Sequence, residues 1–232
     1  MQRSKQIAIG AALAAALFVF GGASPAPKPY HLELEAYPAA PFPWFSKFGT
    51  IDIHVYPHGV RAESMFLNGF SRAGTKTLTM MNPIARMYAD VPLSRITSMI
   101  SEASTESDIA AGTPPVQTGV VGKIGGLPVA RYRLVYGPEA WIDIWTTREV
   151  PENAQLRAVV DSLIRGVSVP TANVARTIPG TPLYVELNFR RFKKTPFLRL
   201  KKLTWNASGE TDALKVGSYY FKAPLADAIF RP

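Results

Sequence analysis

Three consecutive pieces decide how this chain folds: Gly125-Gly-Leu-Pro-Val-Ala-Arg-Tyr-Arg-Leu-Val135, then Ala140-Trp-Ile-Asp-Ile-Trp-Thr-Thr147, then Pro151-Glu-Asn-Ala-Gln-Leu-Arg-Ala-Val-Val-Asp-Ser-Leu-Ile164. The first two are dense in β-branched and aromatic residues and predict strands over 127–136 and 140–147, joined at Gly137-Pro138. Gly125-Gly126 predicts a turn after a further strand over 120–124. In the third piece the period changes. Leu156, Val159, Val160 and Leu163 recur at helical spacing, and Pro151 suits a first turn. A helix with a single apolar stripe must bury that stripe, and the adjacent strands offer a sheet face to bury it on.

Toward the N-terminus the period is two. Ile51, Ile53 and Val55 alternate with Asp52, His54 and Tyr56, the pattern of a half-buried strand. Pro57-His-Gly59 makes a turn, and 60–67 resumes as a strand with Ala62, Ser64 and Phe66 on one face. The stretch 68–74, opened by Asn68-Gly69, reads as a connection, followed by short strands over 75–81 and 86–91. Leu93, Ile96, Met99 and Ile100 predict a second amphipathic helix over 92–104, and 112–117 reads as a loop. Beyond the first helix, 170–182 reads as a linker, 183–192 and 197–205 as a hairpin around Lys194-Thr195-Pro196, and 217–221 as a last strand. Short strands with turn residues between them and no crossover helices describe an antiparallel meander. The expected architecture is α+β: roughly ten strands in a curved antiparallel half-barrel, with the two helices on its concave face.

Residues 1–23 predict a secretory signal. Arg3 and Lys5 precede an apolar run of 14 residues, Ile7–Phe20, and Gly21-Gly22-Ala23 offers small residues for cleavage. A membrane-spanning helix needs about 20 apolar residues, so cleavage is favoured over anchoring. Residues 24–49 form a Pro/aromatic-rich N-terminal segment, with Phe42, Trp44, Phe45 and Phe48 among prolines 38, 41 and 43, and 50–232 is read as a single half-barrel domain. Cysteine is absent, which excludes disulfides, thiolate metal sites, cysteine nucleophiles and a lipid-modified N-terminal cysteine. Without Arg3 and Lys5, 24 basic residues against 17 acidic ones leave a net charge of +7. Such a charge attracts anionic lipid heads, envelope glycans or acidic partners. Nucleic acid is not expected of an exported chain, nor is a transmembrane span after signal cleavage.

The middle of the chain resembles the LolA/LolB-like half-barrel superfamily of exported envelope proteins, which includes related domains of unknown function. The likeness is carried by 125–135, by the Trp-x-Asp-x-Trp strand at 140–147 running through Pro151 into the helix, and by Val60-Arg-Ala-Glu63 and Met87-Tyr-Ala-Asp-Val-Pro92 in the first half. It implies a non-enzymatic protein whose concave face shelters acyl chains or another apolar ligand. The Pro/aromatic segment at 37–48 and the basic hairpin depart from the lipoprotein carriers.

The search for chemistry gives no catalytic motif. Gly69-Phe-Ser71-Arg-Ala73 has the look of a nucleophile elbow, but a strand follows it and no histidine lies beyond His58. Asp52, His54 and His58 are a thin ligand set for zinc, which usually wants three ligands with supporting partners. Asp52 and Glu63 can face each other across a hairpin, and Glu33 and Glu35 share a strand face. Asp143 between Trp141 and Trp145 suggests a sugar platform, or two indoles capping the sheet's apolar layer. Arg190, Arg191, Lys193, Lys194, Arg199, Lys201 and Lys202, interleaved with Phe189, Phe192 and Phe197, form the densest cationic feature and suit an anionic surface.

These residues predict a non-enzymatic exported envelope protein, periplasmic, binding an apolar or acyl-bearing ligand (lipid or lipoprotein) and needing no cofactor or metal. Secretion, or retention by an uncleaved signal, are the alternatives for its location. The ligand residues expected are Phe66, Leu78, Met80, Tyr132 and Leu134 from strand parity, with Trp141 and Trp145. A structural or protein-interaction component without a small ligand is the rival reading, and an envelope hydrolase using Ser71 or the Asp52/His54/His58 set is the third.

Overall fold

The computed structural model describes residues 28–37, 49–65, 68–103, 115–137, 140–167, 169–189, 195–206 and 208–225. The expected signal and the aromatic residues of 38–48 lie outside them. Twelve strands form one open sheet: β1 (Tyr30–Ala36), β2 (Thr50–Tyr56), β3 (Gly59–Glu63), β4 (Asn68–Arg72), β5 (Thr77–Asn82), β6 (Met87–Pro92), β7 (Val116–Ile124), β8 (Leu127–Gly137), β9 (Ala140–Thr147), β10 (Thr181–Phe189), β11 (Thr195–Trp205) and β12 (Phe221–Lys222). Their spatial order is β12-β6-β5-β4-β3-β2-β1-β11-β10-β9-β8-β7. The ladders given by residue register are antiparallel except for β12 beside β6. Among the described residues four helical segments accompany the sheet: α1 (Leu93–Ala103), α2 (Ala154–Val167), α3 (Val169–Ala175) and α4 (Glu210–Ala213).

Several expectations need correction. The N-terminal segment contributes the strand at the middle of the sheet, because β1 pairs with β2 on one side and β11 on the other. Alternate β1 residues are buried, with Tyr30, Leu32 and Leu34 fully so. Each such side chain contributes about 1.5–3 kcal/mol on burial, and both neighbouring ladders satisfy the backbone. The strand expected over 60–67 ends at Glu63, and the supposed connection 68–74 begins with strand β4. Val116 and Gln117, placed in a loop, belong to β7. The 170–182 linker begins in α3, and the last strand shrinks to two residues.

Helix α2 starts where a side chain can replace missing backbone partners. Asn153 Oδ1 accepts from the backbone N–H groups of Gln155 and Leu156, each at 2.9 Å. An Asn cap of this kind is worth about 1 kcal/mol. Leu156 and Val160 then pack into the main core with Tyr30, Leu32, Leu34, Val55, Leu183 and Val185, while Val159 joins Ala89, Val91, Leu93 and Ile96 in a second cluster beneath α1. The side chains of Met99, Ile100 and Leu163, expected in the two stripes, lie outside the described residues. Asp161 ties α2 to the chain just beyond α3: its carboxylate accepts from Arg165 Nε at 2.8 Å and from Arg176 Nε at 2.6 Å.

The face of the sheet turned away from these helices is divided. Over β2 to β6 it is crossed by 208–220, whose Leu214 packs with Tyr56, Phe70 and Met81. Arg61 and Arg72 hold that segment by donating to the Ala213 and Leu214 carbonyls, each at 2.8 Å. Toward β7 the sheet curls. A Cβ placed on Gly125, in the β7–β8 turn, would stand 3.1 Å from Leu200 Cδ2 on β11, although β9 and β10 intervene in strand order. Gly125 also has φ +57°, so glycine serves both the turn and the close approach.

Candidate ligand groove

Register decides which side chains share a face, since residues directly opposite in an antiparallel pair lie on the same side. Tyr132 faces Ile144 and Leu134 faces Ile142, and Tyr132, Leu134 and Ile144 are buried in the main core. Leu78 and Met80 pack against the cluster beneath α1. The four expected ligand residues are therefore divided between two packed clusters. Phe66 lies outside the described residues. Trp145 faces Arg131, and Trp141 faces Val135, so both tryptophans point to the opposite side of the sheet from Tyr132 and Leu134. These residues do not form one site.

Trp145 instead helps to line a groove of about 580 Å³. In the cross-strand register Trp145 of β9 faces Tyr184 of β10, which in turn faces Arg199 of β11. The rings of Trp145 and Tyr184 lie 4.8 Å apart, tilted by 55°. The Arg131 guanidinium sits 5.7 Å from the Trp145 ring centre and is held by its Nε donating to Thr118 Oγ1 at 2.8 Å. The end of β7 and the curled β7–β8 turn bring Gly122, Lys123, Ile124 and Gly125 to one side, Val129 and Leu200 add apolar wall, and Tyr37 and Pro196 complete the lining. The Lys123 ammonium forms no ion pair or hydrogen bond among the described residues.

Two phenols in the groove are anchored by carboxylates. Tyr184 donates to Glu186 at 3.2 Å, and Tyr37 donates to Glu35. Burial, reinforced by the Glu186 charge, pushes the Tyr184 hydroxyl up to about 12. The hydrogen bond to Glu35 is the main cause that raises Tyr37, with burial adding to it and Arg199 opposing it. Both therefore stay neutral. The positive charge available to a ligand comes from Arg199 and Lys123.

The other sequence candidates are structural. Ser71 is a buried strand residue whose hydroxyl donates to the Thr77 carbonyl at 2.6 Å and accepts from Gln155 Nε2 at 2.7 Å. It joins β4 to α2 and has no hydrogen-bonded base among the described residues, so the elbow reading is withdrawn. Asp143 is no sugar platform: it is fully buried and receives Arg133 Nε at 2.7 Å and Nη2 at 2.8 Å. That pairing raises the already high proton affinity of Arg133. Lys201 is held by Glu33 at 2.8 Å, while Lys202 is exposed. Arg190, Arg191, Lys193 and Lys194 lie outside the described residues, next to the ends of β10 and β11.

Asp52 and Glu63 do face each other, and His54 faces His31. The two imidazoles stack at 4.2 Å with planes 2° apart, and His31 Nε2 is 2.7 Å from Asp52. Stacked rings point their nitrogens side by side rather than at a common centre. Among the described residues no group of three or more His, Asp or Glu is placed to hold a metal. Burial, and then the neighbouring His31, lower the proton affinity of His54 below its ordinary value of 6.5, with Glu63 and Asp52 opposing them. The unfolded chain thus takes up this proton more readily, so the His54 contribution to stability is complete above pH 6.5 and is lost as the pH falls through the lower folded value. Urea denaturation should show stability declining on acidification below that point, with a shallower decline in His54→Phe. An unchanged slope in that variant would remove His54 from the acid response.

No family model matches the chain, and no curated protein matches it. Among solved structures it is similar to the crystal structure of an uncharacterized conserved protein from Thermus thermophilus, with 8% sequence identity, 93% of this chain and 96% of that chain covered, and a TM-score of 0.46. That likeness is too slight to carry an argument about family or function. No helix among the described residues is long and apolar enough to cross a membrane.

Proposed function

We propose that this is a non-catalytic exported protein of the cell envelope that binds an acyl-bearing anion, with the groove beside Trp145 as its site. The observation that carries the reading is the groove's composition: Ile124, Val129, Trp145, Pro196 and Leu200 provide apolar wall, and Lys123 and Arg199 stand in the same lining. Apolar walls with a few polar groups are the usual form of a small-molecule site. The resemblance of 125–164 to the half-barrel envelope proteins supports the same class of ligand, and the half-barrel with helices on its concave side remains the architecture we favour.

The test is uptake of a fluorescent long-chain fatty acid, read through quenching of Trp145, together with native mass spectrometry of protein purified from its own envelope. Arg199→Gln removes a charged contact and should weaken probe binding about tenfold. Trp145→Ala should lose both the affinity and the quenching. A clean apo mass with no probe uptake would overturn the ligand reading and leave the protein as a structural or protein-interaction component.

A further inference from the structure

A second depression, of about 610 Å³, lies on the helix side of the molecule and shares no lining residue with the first. Its lining combines Leu93 and Ser94 of α1 with Ala154, Arg157, Ala158, Asp161 and Ser162 of α2, and adds Lys76, Pro92 and Arg176. Three cationic side chains therefore surround one hollow with a single carboxylate among them.

That carboxylate is already committed. Asp161 receives two hydrogen bonds from Arg176 and one from Arg165, which stands outside the lining. Arg157 and Lys76 have no hydrogen-bonded counterion among the described residues. Arg157 acts instead on Glu152: burial raises that carboxyl, and the Gly180 backbone N–H and then the Arg157 charge oppose the rise. The lining thus carries an excess of two positive charges, from Lys76 and Arg157, beside an arginine fork fixed in place by Asp161. Ser94 adds a hydroxyl with no side-chain hydrogen bond among the described residues. Two like charges brought to one hollow raise the free energy of the protein, and a dianion between them lowers it. A fixed arginine fork with unused N–H groups suits tetrahedral oxyanions.

We propose that this hollow binds a phosphoryl-bearing anion through Lys76, Arg157 and Arg176. The phosphoryl group could belong to a small soluble molecule or to a lipid head, and the two sources are separable by experiment. Glycerol phosphate, titrated calorimetrically into the full chain at low ionic strength, should bind. Lys76→Gln and Arg157→Gln should each weaken that binding about tenfold. Arg148→Gln removes the same charge from an exposed position outside both grooves and should leave binding unchanged. Thermal denaturation without phosphate checks that all three variants fold. Parallel flotation with phosphatidylglycerol vesicles identifies the source: binding to vesicles that is lost in Arg157→Gln assigns a lipid head, and binding of glycerol phosphate alone assigns a soluble molecule. Absence of glycerol phosphate and vesicle binding in the wild type overturns the proposal, as does an equal loss in all three variants. Fatty-acid uptake in the other groove is read independently, so either site can fail without the other.

Discussion

Val160→Asp unfolds the protein or drives it to aggregate. Val160 is 2% exposed and packs with the β-sheet side chains of the main core. A carboxylate there would meet no partner, and an unpaired buried charge costs several kcal/mol even after the surroundings relax. Domains of this size are stable by about 5–15 kcal/mol, so one such loss consumes much of the margin. Val160→Ala provides the scale. It deletes two methyl groups and should cost about 2 kcal/mol, measurable as a lower urea midpoint with an unchanged slope. If the aspartate variant kept the wild-type melting temperature, α2 would not lie on the sheet.

Asp143→Ala should cost about 2–4 kcal/mol, the second largest loss expected of a single substitution. The effect comes from the arginine left behind. Arg133 would keep its place beside the Trp141 ring, 5.1 Å from the ring centre, without the carboxylate that now receives two of its N–H groups. The Arg133 side chain is 33% exposed, so water recovers part of the loss, and the figure lies below that for a fully buried pair. Replacing both partners, Arg133→Met with Asp143→Leu, should restore most of the stability, because the cost resides in the orphaned charge. Additive losses in urea denaturation of the two single variants and the double variant would show that the pair is not coupled.

Local pattern revealed some of this fold and none of its long-range pairing. The alternation at 51–56, the strands at 127–136 and 140–147, and the stripe through Leu156, Val159 and Val160 were legible because each repeats within a short window. The same-face pair Glu33 and Glu35 marked β1 as a strand, but nothing near it showed that its partner is β11. β4 was read as a connection because Asn68-Gly69 and Gly74 are turn residues. In the folded chain, Gly69 sits where a Cβ would approach the Thr79 carbonyl at 3.2 Å. α3 hid behind Pro170, which falls in its first turn, where proline is tolerated.

The candidate groove was only partly legible. Arg199 and Trp145 were both singled out, for separate reasons. Their alignment through Tyr184 depends on two registers, each containing an irregularity, at Val185/Glu186 and at Pro182/Tyr184. A one-residue slip reverses the face of every side chain beyond it, so no alternation within a single strand could reveal that row. Lys123 enters the groove only because the β7–β8 turn curls toward β11, a consequence of sheet coiling rather than of local sequence. Leu78 and Met80 pack in one cluster and Tyr132 and Leu134 in another, a division that strand parity alone does not reveal.

The place of β1 governs when the molecule can be completed. Its residues Tyr30 to Ala36 are matched with Trp205 to Leu198, so the central ladder joins parts of the chain up to 175 positions apart. Closing so long a loop is slow, and it is impossible until β11 has been synthesised. The hairpins β2–β3, β4–β5 and β8–β9 can form as they leave the ribosome, but each would hold a half-built sheet with an open seam. A nascent chain with this wiring keeps its central seam open until β11 has left the ribosome.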